Sequence, residues 1–156
     1  MRTKILFTAM AVFVLTVSAI ALVGKSLSES SVTGKNVEKS KLLAEVTSNI
    51  EYANAKSSIR GNYNINLNKL AKVVISDNYA VSLRGHADSV GLYKSNWVLS
   101  DYRAIAIKKF LIKKGVKADR IITTPFGSTV PIASNKTADG RQKNRRVEIE
   151  LKESSN

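Results

Sequence analysis

Cysteine is absent from the 156 residues, and histidine occurs once, at His86. The first absence excludes a disulfide, a thiolate metal site, a cysteine nucleophile and a lipid-bearing N-terminal cysteine. The second leaves histidine chemistry to a single ring. Aromatic residues are 6% of the chain and form no visible platform for stacking bases. Acids are scarce against bases: 12 Asp and Glu face 25 Lys and Arg, a formal charge of +13. That excess favours an anionic partner such as nucleic acid, anionic lipid or an acidic wall polymer. A solvated basic surface has the same composition, so charge alone does not choose. There is no internal repeat and no long low-complexity tract.

The chain starts on the cationic "MRTK", and Ile5 to Val23 then carries no charged residue. Two readings fit: a secretory signal over residues 1–21, or a membrane anchor retained over 5–23. Ala19 and Ala21 put small residues at the −3 and −1 positions of a cleavage site, which favours removal after Ala21. Either way the bulk of the chain crosses the inner membrane, which weighs against a nucleic-acid partner. What remains is roughly 130 residues, enough for one small domain. Residues 22–41 are rich in Ser, Lys, Glu and Gly and read as a flexible tether.

The domain is expected over 42–152, with 153–156 as a tail. A first strand is predicted within "LLAEVTSNIEYA", best from Val46 to Ala53, followed by a turn-rich loop. Tyr63, Leu67, Leu70, Ala71 and Val74 then recur on one helical face. Asp77-Asn78 ends that helix. Tyr79, Val81 and Leu83 alternate with Ala80, Ser82 and Arg84 as a strand that stops at Gly85. A second helix runs through "LSDYRAIAIKKFLIKK" to a stop at Gly115. "DRIITTPF" supplies a third strand, closed by Pro125. Gly127 to Asn144 reads as a long polar loop. Val147, Ile149 and Leu151 alternate as the last strand. The predicted order is β-α-β-α-β-β: an α/β (α+β) two-layer sandwich with a small mixed sheet covered by helices on one face.

One stretch concentrates chemistry: "GHADSVGLYKSNWVLSDYRA", residues 85–104. Asp88 follows the second strand, and Gly91 permits a tight turn. Asn96 and Arg103 lie seven apart on one face of the next helix. A carboxylate on one wall and a guanidinium on the other suit a zwitterion, with Asp88 accepting from an ammonium and Arg103 holding a carboxylate. The competing structural reading is that Asp88 and Arg103 pair with each other and pin the helix to the loop.

The same stretch resembles the signature of the OmpA-like peptidoglycan-binding domain family, with Asp88, Gly91, Asn96, Leu99, Ser100, Arg103 and Ala104 in register. "PIASNKTADGRQKNRRVEIEL" is similar to that family's closing segment, through Gly140, Arg141, Asn144, Arg145, Arg146 and Val147. "IEYANAKSSI" is similar to its opening strand and loop. Two separated motifs with correct internal spacing are more specific than either alone. The resemblance covers about Thr47 to Leu151.

It implies non-catalytic binding of peptidoglycan through the diaminopimelate end of the stem peptide. Asp88 would take the ammonium and Arg103 the carboxylate. Asn96 would bond the peptide or the same end group, and Arg145 would reach a second carboxylate. Ala87 and Asn54 complete the implied ligand set. No cofactor and no metal is implied. The implied location is the periplasm or cell envelope of a Gram-negative bacterium, outer-membrane-associated or inner-membrane-anchored. Outer-membrane or other envelope proteins are the further partners. Two positions depart from the family's pattern. Ala55 stands where an acid or amide usually precedes the lysine, with Asn54 as its candidate substitute. Ser95 stands where an aromatic residue often precedes Asn96. Tyr93 and Trp97 lie near enough in sequence to cover a ligand or simply to pack.

Rival classes find less support. His86, Asp88 and Ser100 could be read as a hydrolytic set, but no strained nucleophile turn surrounds Ser100, which resembles a helix-start residue. "HAD" offers two metal ligands without a third. Lys108, Lys109, Lys113 and Lys114 make a basic helix end, which leaves electrostatic adhesion to an anionic polymer as the alternative to a specific pocket. An envelope complex anchored by the N-terminal segment is the other alternative. A proton-carrying membrane helix would need an acid, and Ile5 to Val23 has none.

Overall fold

The strand predicted from the alternation at Tyr79 forms, with Tyr79, Val81, Leu83 and Gly85 turned inward and the residues between them half-buried. It is the second of four strands in a computed structural model that describes residues 34–153. The leader or anchor and most of the tether lie outside those residues. The chain divides into two units, residues 1–43 and 44–156. The described residues of the first, 34–43, are helical, and so are 44–46 at the start of the second; this helix is α1. The structure thus differs from the sequence expectation at both places. The lysines and glutamates that read as a tether are also strong helix formers, and an exposed helix has a tether's composition. Val46 is taken up by the helix, so β1 shrinks to Ile50–Glu51.

The remaining elements are α2 (Asn64–Ser76), β2 (Tyr79–Gly85), α3 (Tyr93–Lys113), β3 (Ile121–Pro125), α4 (Ala138–Asn144) and β4 (Arg146–Glu153). Strand order is β1-β4-β2-β3. β4 runs antiparallel to both neighbours, with Ile50 opposite Val147 and Leu83 opposite Ile149. β2 and β3 are parallel, with Leu83 opposite Thr123, joined by α3 as the crossover. The helices α2 and α3 pack on the sheet, as the two-layer reading requires. Leu67, Leu70, Ala71 and Val74 of α2 meet Val81, Leu83, Ile107, Leu111, Val147 and Ile149 in one buried core. Tyr63 precedes α2 in a short 3-10 turn, and its hydroxyl accepts from the Glu51 amide at 3.1 Å.

The inward stripe of α3 is mixed. Ala104, Ile107 and Leu111 are apolar, whereas Asn96, Ser100 and Arg103, one to three turns earlier, are polar and equally buried. Polar groups are buried only when paired, so the N-terminal half of α3 serves something other than the core. Ser100 is interior to this helix, not at its start. A further difference is α4, inside the segment expected to be a loop. The Thr137 side chain caps it by accepting from the Gly140 amide at 3.1 Å. Polar composition hid a helix of about two turns that carries little apolar surface.

Candidate functional site

Three segments converge beyond the C-terminal end of β2: the loop after β1, residues 86–92 after β2, and residues 132–145 leading into β4. Each is held by a buried polar side chain. Asn144 is fully buried. Its Oδ1 accepts from the Ile132 and Ala133 amides, and its Nδ2 donates to Ala133 O and Asn135 Oδ1. Asn96 donates to Asp88 O at 3.1 Å and Val90 O at 3.0 Å, fixing the loop after β2 on α3. Ser100 donates to Trp97 O and accepts from the Gly127 amide at 2.9 Å. There β2 approaches α3 so closely that a Cβ on Gly85 would stand 2.0 Å from Ser100 O.

Arg103 is 0% exposed. Its Nε donates to Lys56 O, its Nη1 to His86 O and its Nη2 to Ala53 O. Its guanidinium lies 5.2 Å from the centre of the Tyr52 ring, and the Tyr52 hydroxyl donates to Arg103 O. Burial lowers the Arg103 pKa to about 10, with Tyr52 and Asp88 opposing and Arg145 reinforcing the shift; the group stays charged at neutral pH. Burial likewise pushes the Tyr52 phenol up.

Asp88 is 4% exposed and faces a different arginine from the one the sequence suggested. Its Oδ2 accepts from Arg145 Nη1 at 2.6 Å, and its Oδ1 accepts from the Val90 amide at 3.0 Å. Arg145 also donates from Nε to Tyr52 O and from Nη2 to Gln142 Oε1. A cleft of ≈ 200 Å³ opens here, lined by Asn54, Asp88, Val90, Ala138, Arg141 and Arg145. Of the residues singled out in the sequence, Asp88, Arg145 and Asn54 line this one cleft. Arg103 does not line the cleft: it stands behind it, tying the loop after β1 to the loop after β2. Asn96 spends its amide hydrogens on the loop, and Ala87 is buried with its amide bonded to Gly127 O. Ala55, beside Asn54, takes φ 54°, which turns the chain out at this point.

Sequence reasoning missed Arg141 as a cleft residue. The signal was present, since Arg141 and Arg145 are four apart and share a face once α4 is helical. The hydrolytic set is not assembled. Ser100 Oγ is engaged as above, and the His86 ring stacks on Phe126 at 5.2 Å. Larger hollows of ≈ 480 and ≈ 410 Å³ lie on the outer side of α3, lined by Leu92, Val98 and Tyr102 and by Tyr93 and Trp97. They are mainly apolar and lack Asp88, so the buried charges locate the site better than volume does. Tyr93 and Trp97 belong to those hollows rather than covering the cleft.

With this geometry in view, the OmpA family profile matches residues 51–145, more than half of the chain. The chain belongs to the OmpA family. Outer membrane protein A of Bordetella avium is 51% identical over 67 residues, 43% of this chain and 34% of that protein. The peptidoglycan-binding protein ArfA of Mycobacterium tuberculosis is 43% identical over 94 residues, 60% of this chain and 28% of that protein. The chain therefore spans about a third of the length of these relatives. Among solved structures, the C-terminal domain of MotB from Helicobacter pylori superposes with a TM-score of 0.62 at 30% identity, covering 69% of this chain and 86% of that one. All three converging segments, from the loop after β1 to Arg145, lie within the matched region.

Proposed function

We propose that this OmpA-family domain binds peptidoglycan without chemistry, through the zwitterionic diaminopimelate end of the stem peptide, and so tethers an envelope protein to the cell wall. The observation that carries this reading is Asp88: a buried carboxylate at the wall of an amino-acid-sized cleft, with arginines as the other charged lining. Its two oxygens each accept one bond, and a carboxylate offers about four acceptor positions. It can therefore take an ammonium without breaking its pair with Arg145. The volume is below the ~300–1,000 Å³ of drug-sized pockets and suits one amino-acid end. Names of relatives such as the peptidoglycan-binding protein ArfA support the same ligand. Arg103 enters this reading as the residue that holds the two loops apart at the right distance. The reading places the domain in the envelope, delivered by residues 1–21 or held by 5–23.

The second reading, adhesion of a basic surface to an anionic polymer, is favoured by the +13 charge. Pull-down on purified sacculi separates the two. Under the pocket reading, Asp88→Ala abolishes binding at moderate salt, and removing Lys113 and Lys114 leaves it intact. Under adhesion, loss of the lysines weakens binding, and Asp88→Ala tightens it by adding net positive charge. Unchanged or tighter binding by folded Asp88→Ala protein would discard the pocket.

A further inference from the structure

The cleft holds one acid and two guanidinium groups, and they are not equivalent. Asp88 and Arg145 are bonded at 2.6 Å and cancel. Arg145 is moreover spent: Nε, Nη1 and Nη2 each have a protein acceptor. Arg103 is fully buried behind the wall with all three of its nitrogens engaged. Arg141 differs. Its Nη1 donates to Asn135 O at 2.9 Å and Lys136 O at 3.2 Å. Among the described residues, its Nε and Nη2 have no acceptor, and the side chain is half-buried at the cleft. These two nitrogens form one straight edge of the guanidinium, the edge that makes paired parallel bonds to a carboxylate.

Resting on the function proposed above, we propose that Arg141 takes the ligand carboxylate, so that the cleft selects the free acid beside the ammonium over its amide. The geometry gives each group one task. Asp88 accepts the ammonium, and Arg145 holds the Asp88 carboxylate in position. Arg141 supplies the only uncancelled charge in the lining, held in place by its bonds to the 135–136 backbone. Those bonds fix its plane before the ligand arrives, so little side-chain freedom is lost on binding. A carboxamide offers one neutral acceptor and brings two hydrogens against a group that only donates.

The test is calorimetric titration of the full chain with a stem tripeptide ending in meso-diaminopimelate, as the free acid and as the carboxamide at the end beside the free ammonium. We expect wild-type protein to prefer the acid by about tenfold or more, the scale of a lost charge-assisted pair. Arg141→Gln should weaken the acid to the level of the amide while the amide is unaffected, and Arg141→Lys should restore part of the preference. The acid and amide are compared on each protein separately, so a modest loss of fold stability does not mimic the result. An equal affinity of wild type for the two ligands, or an unchanged ratio in Arg141→Gln, overturns the role of Arg141 and leaves the stem-peptide reading standing. Failure of wild type to bind either ligand overturns both.

Discussion

Arg145 Nη1 stands 2.6 Å from Asp88 Oδ2, across 57 residues of sequence and with both side chains largely out of water. The pair joins the loop after β2 to the end of α4, and it makes the site partly self-neutralised before any ligand is present. Taking one partner away strands the other in a poorly hydrated place, which costs more than the pair contributes over a neutral replacement. Asp88→Ala and Arg145→Ala should each lower unfolding free energy by about 2–4 kcal/mol. The double variant should lose at least about 1 kcal/mol less than the sum of the two. Urea denaturation of the four proteins measures this, and strict additivity would mean that the ion pair contributes nothing.

Arg103 yields a prediction about shape rather than charge. Its three nitrogens reach Ala53 O, Lys56 O and His86 O, which lie on two different loops. A lysine keeps the charge but cannot present three donors in one plane. Arg103→Lys should therefore cost about 2–3 kcal/mol of stability, nearly as much as Arg103→Met, because buried carbonyls lose their donors. Chemical denaturation ranks the variants. A lysine variant as stable as wild type would show that charge alone suffices.

The sheet and the two main helices were legible because their signals are repetitive: alternation at Tyr79 to Leu83 and at Val147 to Leu151, and the stripe from Leu67 to Val74. Asp88 was singled out by its spacing, and Asn54 and Arg145 by the family resemblance; the three line one cleft. What sequence could not order was which arginine meets Asp88. Arg103 and Arg145 are both compatible with the motif, and the choice depends on the packing depth of α3. There Gly85 lets β2 press so near Ser100 that Arg103 is enclosed. The helix α4 and the helical residues 34–41 were hidden for a shared reason: each is short of apolar residues, so composition resembled loop and tether, whereas the apolar run at 42–46 resembled the start of a strand.

Close backbone approach gives a third prediction. A Cβ on Gly140 would stand 1.9 Å from Ser134 O, and that carbonyl belongs to the loop stapled by Asn144. Backbone cannot rotate away as a side chain can. Gly140→Ala should cost about 3 kcal/mol or more and loosen the cleft wall that carries Arg141. Gly61→Ala meets nothing within 4 Å and serves as the control, with a change within about 0.5 kcal/mol. Thermal melts of the two variants should differ accordingly; equal melting temperatures would contradict the close approach.

The last prediction concerns His86, two residues before Asp88. The residue is 2% exposed, its ring is stacked on Phe126, and among the described residues both ring nitrogens lack a hydrogen-bond partner. Burial, then the charge of Arg146 and of Arg84, lowers its pKa to about 4, against an opposing pull from Glu148, whose carboxylate lies 3.7 Å from Nε2. The unfolded chain titrates near the ordinary value of 6.5. Between these two values the unfolded chain binds the proton and the folded protein does not, so stability rises with pH across that window. The contribution is complete above pH 6.5 and is lost progressively toward pH 4. Glu148 has its own shift: burial would raise its pKa, but the bond to Arg146 and the charges of Arg146, His86 and Arg84 outweigh it and lower it. Its stabilisation fades as pH falls below the ordinary carboxylate range, so a window of about pH 5–7 isolates the histidine. Wild-type protein should lose about 2 kcal/mol between pH 7 and pH 5 from this group. His86→Phe, which keeps the stacking on Phe126 and cannot titrate, should have a correspondingly flatter profile. Denaturation series at pH 5, 6 and 7 for the two proteins give the difference directly, and parallel profiles would mean that His86 is protonated in the folded state as readily as in the unfolded chain.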